Sequence, residues 1–136
     1  SSGSPPVLVV EDNELNQWLT ILQLEALGMR ATLVENGSLA VEKFQSESFP
    51  IVLMDIEMPQ MDGMEAARRI RALSRPGQIR PYIIALTAHV MGESRERFLA
   101  AGMDDFVSKP VVLSELKQAL DRAAAAGSPQ VIHDRD

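Results

Sequence analysis

Five polar residues stand at or just beyond the ends of short apolar runs. Glu11 and Asp12 end Val7–Val10, Asp55 ends Ile51–Met54, Thr87 ends Tyr82–Leu86, and Lys109 follows Phe106–Val107 with only Ser108 between them. Three carboxylates gathered at one place repel each other, and one is driven toward protonation unless a cation neutralises them. A hard divalent ion such as Mg²⁺ takes oxygen ligands and suits two or three carboxylates. An ammonium and a hydroxyl beyond that ion would face an anion. Carboxylate, cation, lysine and hydroxyl together make a constellation for phosphoryl transfer, where positioning and charge neutralisation do most of the work. Singly, each residue also has an ordinary use. An Asp after a strand caps helices or forms turns, Glu11-Asp12 can simply open a helix, and Lys109-Pro110 can be a solvated turn. The ordinary uses would have to hold at four successive strand ends together, which favours the joint reading.

The elements that must gather these residues are legible in the hydropathy pattern. Val7–Val10, Ile51–Met54 and Tyr82–Leu86 are continuously apolar, as expected of strands buried on both faces of a parallel sheet. Ala31–Val34 and Phe106–Val107 are weaker and suit positions nearer a sheet edge. Helical periodicity separates them. Leu15, Leu19, Leu22 and Ala26 recur at threes and fours before Gly28. A short helix is predicted over Ser38 to Phe44, and another begins at Asp62 with Met64, Ala67, Ile70 and Leu73 on its inner face. Further helices are predicted over Gly92 to Ala101 and Leu113 to Ala125, the last with Leu116, Ala119, Leu120 and Ala123 as its stripe. Five alternations of strand and helix read as a doubly wound parallel α/β sheet. In such a sheet the carboxyl ends of all strands share one edge, the usual place for a ligand. One domain over residues 5–126 is expected, with residues 1–4 a tag remnant or linker and 127–136 a linker or frayed tail.

Composition narrows the function classes. Of 136 residues, 46% are hydrophobic and 24% charged, ordinary for a globular domain, and only 4% are aromatic, so the core must rest on aliphatic residues. The net charge of −6 argues against nucleic-acid binding through this domain, because neutralising phosphates needs a basic patch. With no cysteine, disulfides, thiolate catalysis and cysteine zinc sites are excluded. His89 and His133 give no metal-ligand spacing, and no apolar run is long enough to predict membrane contact by this segment.

Four ordered segments carry a family resemblance. They are Val7-Leu8-Val9-Val10-Glu11-Asp12-Asn13, Asp55-Ile56-Glu57-Met58-Pro59-Gln60-Met61-Asp62-Gly63, Leu86-Thr87-Ala88 and Ser108-Lys109-Pro110. Over nearly its whole length the chain resembles the receiver domain of response regulators in two-component signalling. The resemblance implies a flavodoxin-like (β/α)5 fold with strand order 2-1-3-4-5. It implies that Asp55 is the phosphoacceptor, taking a phosphoryl group from a phosphohistidine on a histidine kinase or histidine phosphotransfer domain. Mg²⁺, with Mn²⁺ as a substitute, would be held by Glu11, Asp12, Asp55 and the backbone carbonyl of Glu57. Lys109 would pair with the phosphoryl oxygens, Thr87 would hydrogen-bond one of them, and Phe106 would be the aromatic switch residue. A cis peptide bond is implied at Lys109-Pro110. The activity implied is that of a switch with its own phosphorylation and dephosphorylation chemistry, in a cytoplasmic domain whose parent protein can be membrane-anchored.

Glu11-Asp12-Asn13 followed by Asn16-Gln17, with Thr87-Ala88-His89, resembles receivers attached to hybrid sensor histidine kinases. The alternatives are a free-standing response regulator, with Asn16 and Gln17 merely solvated, and a metal-dependent aspartyl-phosphate phosphatase. Phosphatases resembling the haloacid-dehalogenase type carry a second Asp two residues after the nucleophile, where this chain has Glu57. Trp18 is a candidate anchor for a partner or a packing residue. Glu57 and His89 occupy positions that, by the resemblance, tune phosphoryl lifetime, or are solvent-facing loop residues. Met58, Met61 and Met64 are read as packing residues rather than a soft-metal site.

Overall fold

A computed structural model describes residues 6–56, 63–73, 80–88 and 92–126, with the side chains of 92–95 excepted. Five strands alternate with five helices: β1 Pro6–Val10, α1 Glu14–Ala26, β2 Arg30–Val34, α2 Gly37–Ser46, β3 Ile51–Asp55, α3 Gly63–Leu73, β4 Tyr82–Thr87, α4 Gly92–Ala100, β5 Asp105–Ser108 and α5 Leu113–Ala125. The strands are all parallel in the order β2-β1-β3-β4-β5, the order the resemblance implies. The two weaker runs are indeed the edges. No helix among the described residues is long and apolar enough to cross a membrane.

The period of two along each strand divides the core into two layers. Leu8, Val10, Val52, Met54, Ile83 and Ala85 face Ala40 of α2, Ala66, Ala67 and Ile70 of α3, and Phe98 of α4. Their neighbours Val7, Val9, Leu53, Ile84 and Leu86 face Leu24 of α1 and Leu116, Ala119 and Leu120 of α5. Continuous apolarity in β1, β3 and β4 is thereby explained, because every side chain of these central strands meets a helix layer.

Helix ends follow local chemistry. The Asn13 side chain accepts from the Asn16 amide at 3.0 Å and caps α1, while Asn36 accepts from the Leu39 amide at 2.9 Å and caps α2. The α1 helix closes at Gly28, whose φ of +80° suits glycine.

In α1 the apolar repeat located the helix but marks its outer face. Leu15 is 68% exposed and Leu22 51%, Ala26 is exposed too, and the buried residues are Thr20 and Leu24. Periodicity alone cannot say which stripe turns inward when the opposite stripe contains a buried threonine. In α5 the expected stripe is the buried one. In α3, Ala67 and Ile70 are buried and Met64 and Leu73 half-buried. The predicted helix start at Asp62 lies outside the described residues. The α4 helix ends at Ala100, one residue before the predicted Ala101.

Candidate functional site

The site is assembled by strand register. Val10 pairs with Met54, Asp55 with Leu86, and Thr87 with Ser108, so the carboxyl ends of four strands lie side by side. Glu11 continues β1 and its amide still donates to Val34 O at 3.1 Å, which fixes the first residue past the strand. Asp55 closes β3 and Thr87 closes β4, both buried. The Lys109 amide donates to Thr87 O at 2.8 Å, which draws the end of β5 onto β4. Lys109-Pro110 is a cis peptide, as the resemblance implies.

One carboxylate oxygen from each of Glu11, Asp12 and Asp55 lies within 4.8 Å of the others. Glu11 and Asp55 are buried and Asp12 is exposed, so the cluster is a pocket open on one side. Across it the Lys109 ammonium donates to Asp55 Oδ1 at 3.0 Å. The ordinary reading of the acidic pair as helix openers is excluded in its simple form, because Asn13 performs the capping.

Glu11 shows the electrostatic cost of this cluster. Burial pushes its carboxyl up to about 7, and the nearby charge of Asp55 adds to the rise. The Asn13 amide, which donates to Glu11 Oε2 at 3.1 Å, and the Lys109 ammonium oppose it without cancelling it. Glu11 Oε1 is buried with no hydrogen-bond partner among the described residues. A buried carboxyl with an orphaned oxygen, beside two more carboxylates, is the donor set a hard divalent cation satisfies. The residues present therefore fit Mg²⁺. Glu57, whose carbonyl is the fourth expected ligand, lies outside the described residues, as does His89.

Phe106 is half-buried on β5, its ring tilted against Phe98 with centroids 6.2 Å apart. It pairs in register with Ala85, and Thr87 stands two residues beyond Ala85 on the same face of the sheet. Thr87 and Phe106 thus share the layer that α4 covers.

Three contributors carried no signal in the sequence for the contacts they make. A Cβ at Gly63 would sit 2.6 Å from Asp55 O and 2.7 Å from Ile56 Cα, so only glycine lets α3 approach the backbone of the acidic residue. Gln17 donates through Nε2 to Glu11 O at 2.7 Å, and Gln23 to Val111 O at 2.9 Å. Gln17 is half-buried, not a merely solvated position. Their signal would have been two amides flanking the buried Thr20 on a helix whose opposite face is apolar.

The family described as response regulator receiver domain matches residues 7–121. The sensor protein GacS of Pseudomonas syringae pv. syringae is 42% identical over 121 residues, covering 88% of this chain and 13% of that protein. The signal transduction histidine-protein kinase BarA of Escherichia coli K12 is 39% identical over 116 residues, covering 85% and 12%. The chain therefore spans only a small part of the curated relatives it matches. Among solved structures, the receiver domain of a sensor histidine kinase from Pseudomonas aeruginosa PAO1 is 39% identical. It has a TM-score of 0.78, covers 90% of this chain and 99% of that one, and has a magnesium ion coordinated in its active site cleft. The Vibrio cholerae chemotaxis protein CheY4, 24% identical over 89% of this chain and 99% of its own, shares the fold with a TM-score of 0.80.

Proposed function

This chain belongs to the response regulator receiver domain family, and from that premise we propose that Asp55 carries a transient phosphoryl group within a phosphorelay. The phosphorus of a partner's phosphohistidine forms a bond to an Asp55 carboxylate oxygen while its bond to the imidazole nitrogen breaks. The bonding pair returns to that nitrogen. The observation that supports this most is the Lys109 ammonium 3.0 Å from Asp55 Oδ1 beside the three-carboxylate cluster. Before transfer, Lys109 orients the acceptor carboxylate. After transfer, it turns to the phosphoryl oxygens, and the Thr87 hydroxyl donates to one of them.

Glu11, Asp12 and Asp55 are the side chains that would hold Mg²⁺ or Mn²⁺, with Glu57 contributing its carbonyl. The ion supplies neutralisation of the charge that gathers between acceptor and phosphoryl group. Thr87, drawn toward the phosphoryl group, leaves space in the α4 layer into which Phe106 moves, and the surface over α4 and β5 changes as a population shift.

The phosphodonor docks on α1. Leu15, Trp18, Leu19 and Leu22 form an exposed apolar stripe, with Trp18 63% exposed. Leu19 also lines a cleft with Glu11 and Lys109, so the stripe begins at the rim of the site. A histidine kinase or histidine phosphotransfer domain covering that stripe would bring its histidine over Asp55, and nothing in the acidic composition favours nucleic acid instead. The relatives support placing the segment, roughly residues 5–126, in a hybrid sensor histidine kinase, and we place it on the cytoplasmic side of that protein.

Incubation with Mg²⁺ and a small acyl phosphate should add one phosphoryl group to the wild type and none to Asp55→Asn. Labelling retained in Asp55→Asn would refute the acceptor assignment.

A further inference from the structure

Two amides on α1 reach opposite sides of the site. Gln17 Nε2 donates to the main-chain oxygen of Glu11 at 2.7 Å, within the turn that presents Glu11 and Asp12. Gln23 Nε2 donates to the main-chain oxygen of Val111 at 2.9 Å, two residues beyond Lys109 and 88 positions away in sequence. On a helical wheel the two glutamines flank the buried Thr20, and they are separated along the axis by about 9 Å. Both acceptors are loop carbonyls that neither strand pairing nor a helix otherwise uses among the described residues.

We infer that α1 is a two-point brace, with Gln17 positioning the carboxylate side of the site and Gln23 positioning the lysine side. The inference rests on the reading of Glu11, Asp12 and Asp55 as cation ligands. Holding Glu11 O fixes the peptide that leads into Asp12, the exposed member of the cluster and the one least restrained by packing. Holding Val111 O fixes the segment that sets where the Lys109 side chain starts. Neither glutamine touches the reacting atoms, and both are positioning residues. The same helix presents the apolar stripe on its outer face, so one rigid element connects the docking surface to both sides of the site.

The two roles separate experimentally. Gln17→Met keeps the length of the side chain and removes the donor, and Gln23→Met does the same at the other point. Mg²⁺ affinity is read by calorimetry on the whole chain, and the phosphorylation rate with an acyl phosphate is read at saturating Mg²⁺. Gln17→Met should weaken Mg²⁺ by about three- to tenfold, the worth of one hydrogen bond. Gln23→Met should leave Mg²⁺ affinity alone and slow phosphorylation by about three- to tenfold. Thermal melts establish that each variant is folded, and Gln17→Ala serves if the methionine variant is not.

Unchanged Mg²⁺ affinity in a folded Gln17 variant overturns the brace, as does a loss of stability alone in both. Equal effects of both variants on both quantities overturn it too. Absence of Mg²⁺ binding by the wild type refutes the cation site itself and is thereby distinguished from failure of the brace.

Discussion

The Lys109 ammonium lies 3.0 Å from Asp55 Oδ1, joining residues 54 positions apart at a carboxylate that is 1% exposed. Removing the lysine takes away the ammonium that lies against Asp55 beside Glu11. Lys109→Met should therefore slow phosphorylation by an acyl phosphate about a hundredfold, in the range found for loss of one charge-stabilising donor. Single-turnover labelling at saturating Mg²⁺ checks this. A rate within a factor of two of wild type would contradict the role.

Glu11 makes the metal-free protein sensitive to pH in a defined direction. Its carboxyl is raised from 4.5 to about 7 by burial, with Asp55 adding to the rise. Between those values the folded protein holds a proton that the unfolded chain has released. The associated stability is full below 4.5 and is lost as pH rises through about 7. It amounts to at most about 3 kcal/mol. Urea denaturation at about pH 5 and about pH 8 should show this loss in wild type without metal and not in Glu11→Gln. Mg²⁺ should offset the loss at the higher pH, and its affinity should climb over the same window as Glu11 ionises. A wild type and Glu11→Gln with the same pH profile would remove Glu11 as the cause.

Thr87 and Phe106 share one face of the sheet, since Phe106 pairs with Ala85 and Thr87 stands two residues further along β4. Thr87→Val keeps the shape and removes the hydroxyl. With beryllofluoride and Mg²⁺, amide signals around Phe106 should shift in wild type and shift far less in this variant. The switch equilibrium should move by about fivefold, the value of one hydrogen bond. Labelling of Asp55 should persist. Full shifts at Phe106 in Thr87→Val would show that the hydroxyl does not drive the change.

Gly63 tests how tightly α3 must approach the backbone of Asp55. The added methyl of Gly63→Ala would meet Asp55 O at 2.6 Å and Ile56 Cα at 2.7 Å, and backbone cannot swing aside as a flexible side chain does. The variant should lose about 1–3 kcal/mol in chemical denaturation and phosphorylate more slowly. A stability equal to wild type would mean that α3 can retreat without disturbing Asp55.

How much of this was legible in the sequence differs by element. The central strands were plain because burial on both faces leaves no polar position to blur them. The site was legible because β1, β3 and β4 end where polar residues begin, and a parallel sheet aligns those ends. The orientation of α1 was not. Leu15, Leu19, Leu22 and Ala26 repeat as a core stripe would, while the inward face uses Thr20 and two glutamines whose polar groups are bonded to loop carbonyls. Gly63 was visible as part of a motif, but the need for glycine there appears only when α3 is laid against the Asp55 backbone.

The same α1 face supplies the sharpest separation between chemistry and partner choice. Trp18 is 63% exposed and flanked on the helix surface by Leu15, Leu19 and Leu22. An exposed tryptophan among leucines contributes little to folding and much to an interface that buries it. Trp18→Ala should leave labelling by an acyl phosphate unchanged, because the small donor needs only the site. Transfer from a phosphohistidine-bearing protein should fall by about tenfold or more at subsaturating concentration, and the loss should shrink as the donor approaches saturation. Equal loss with both donors would place Trp18 in the structure of the site, and no loss with either would move the docking surface off α1.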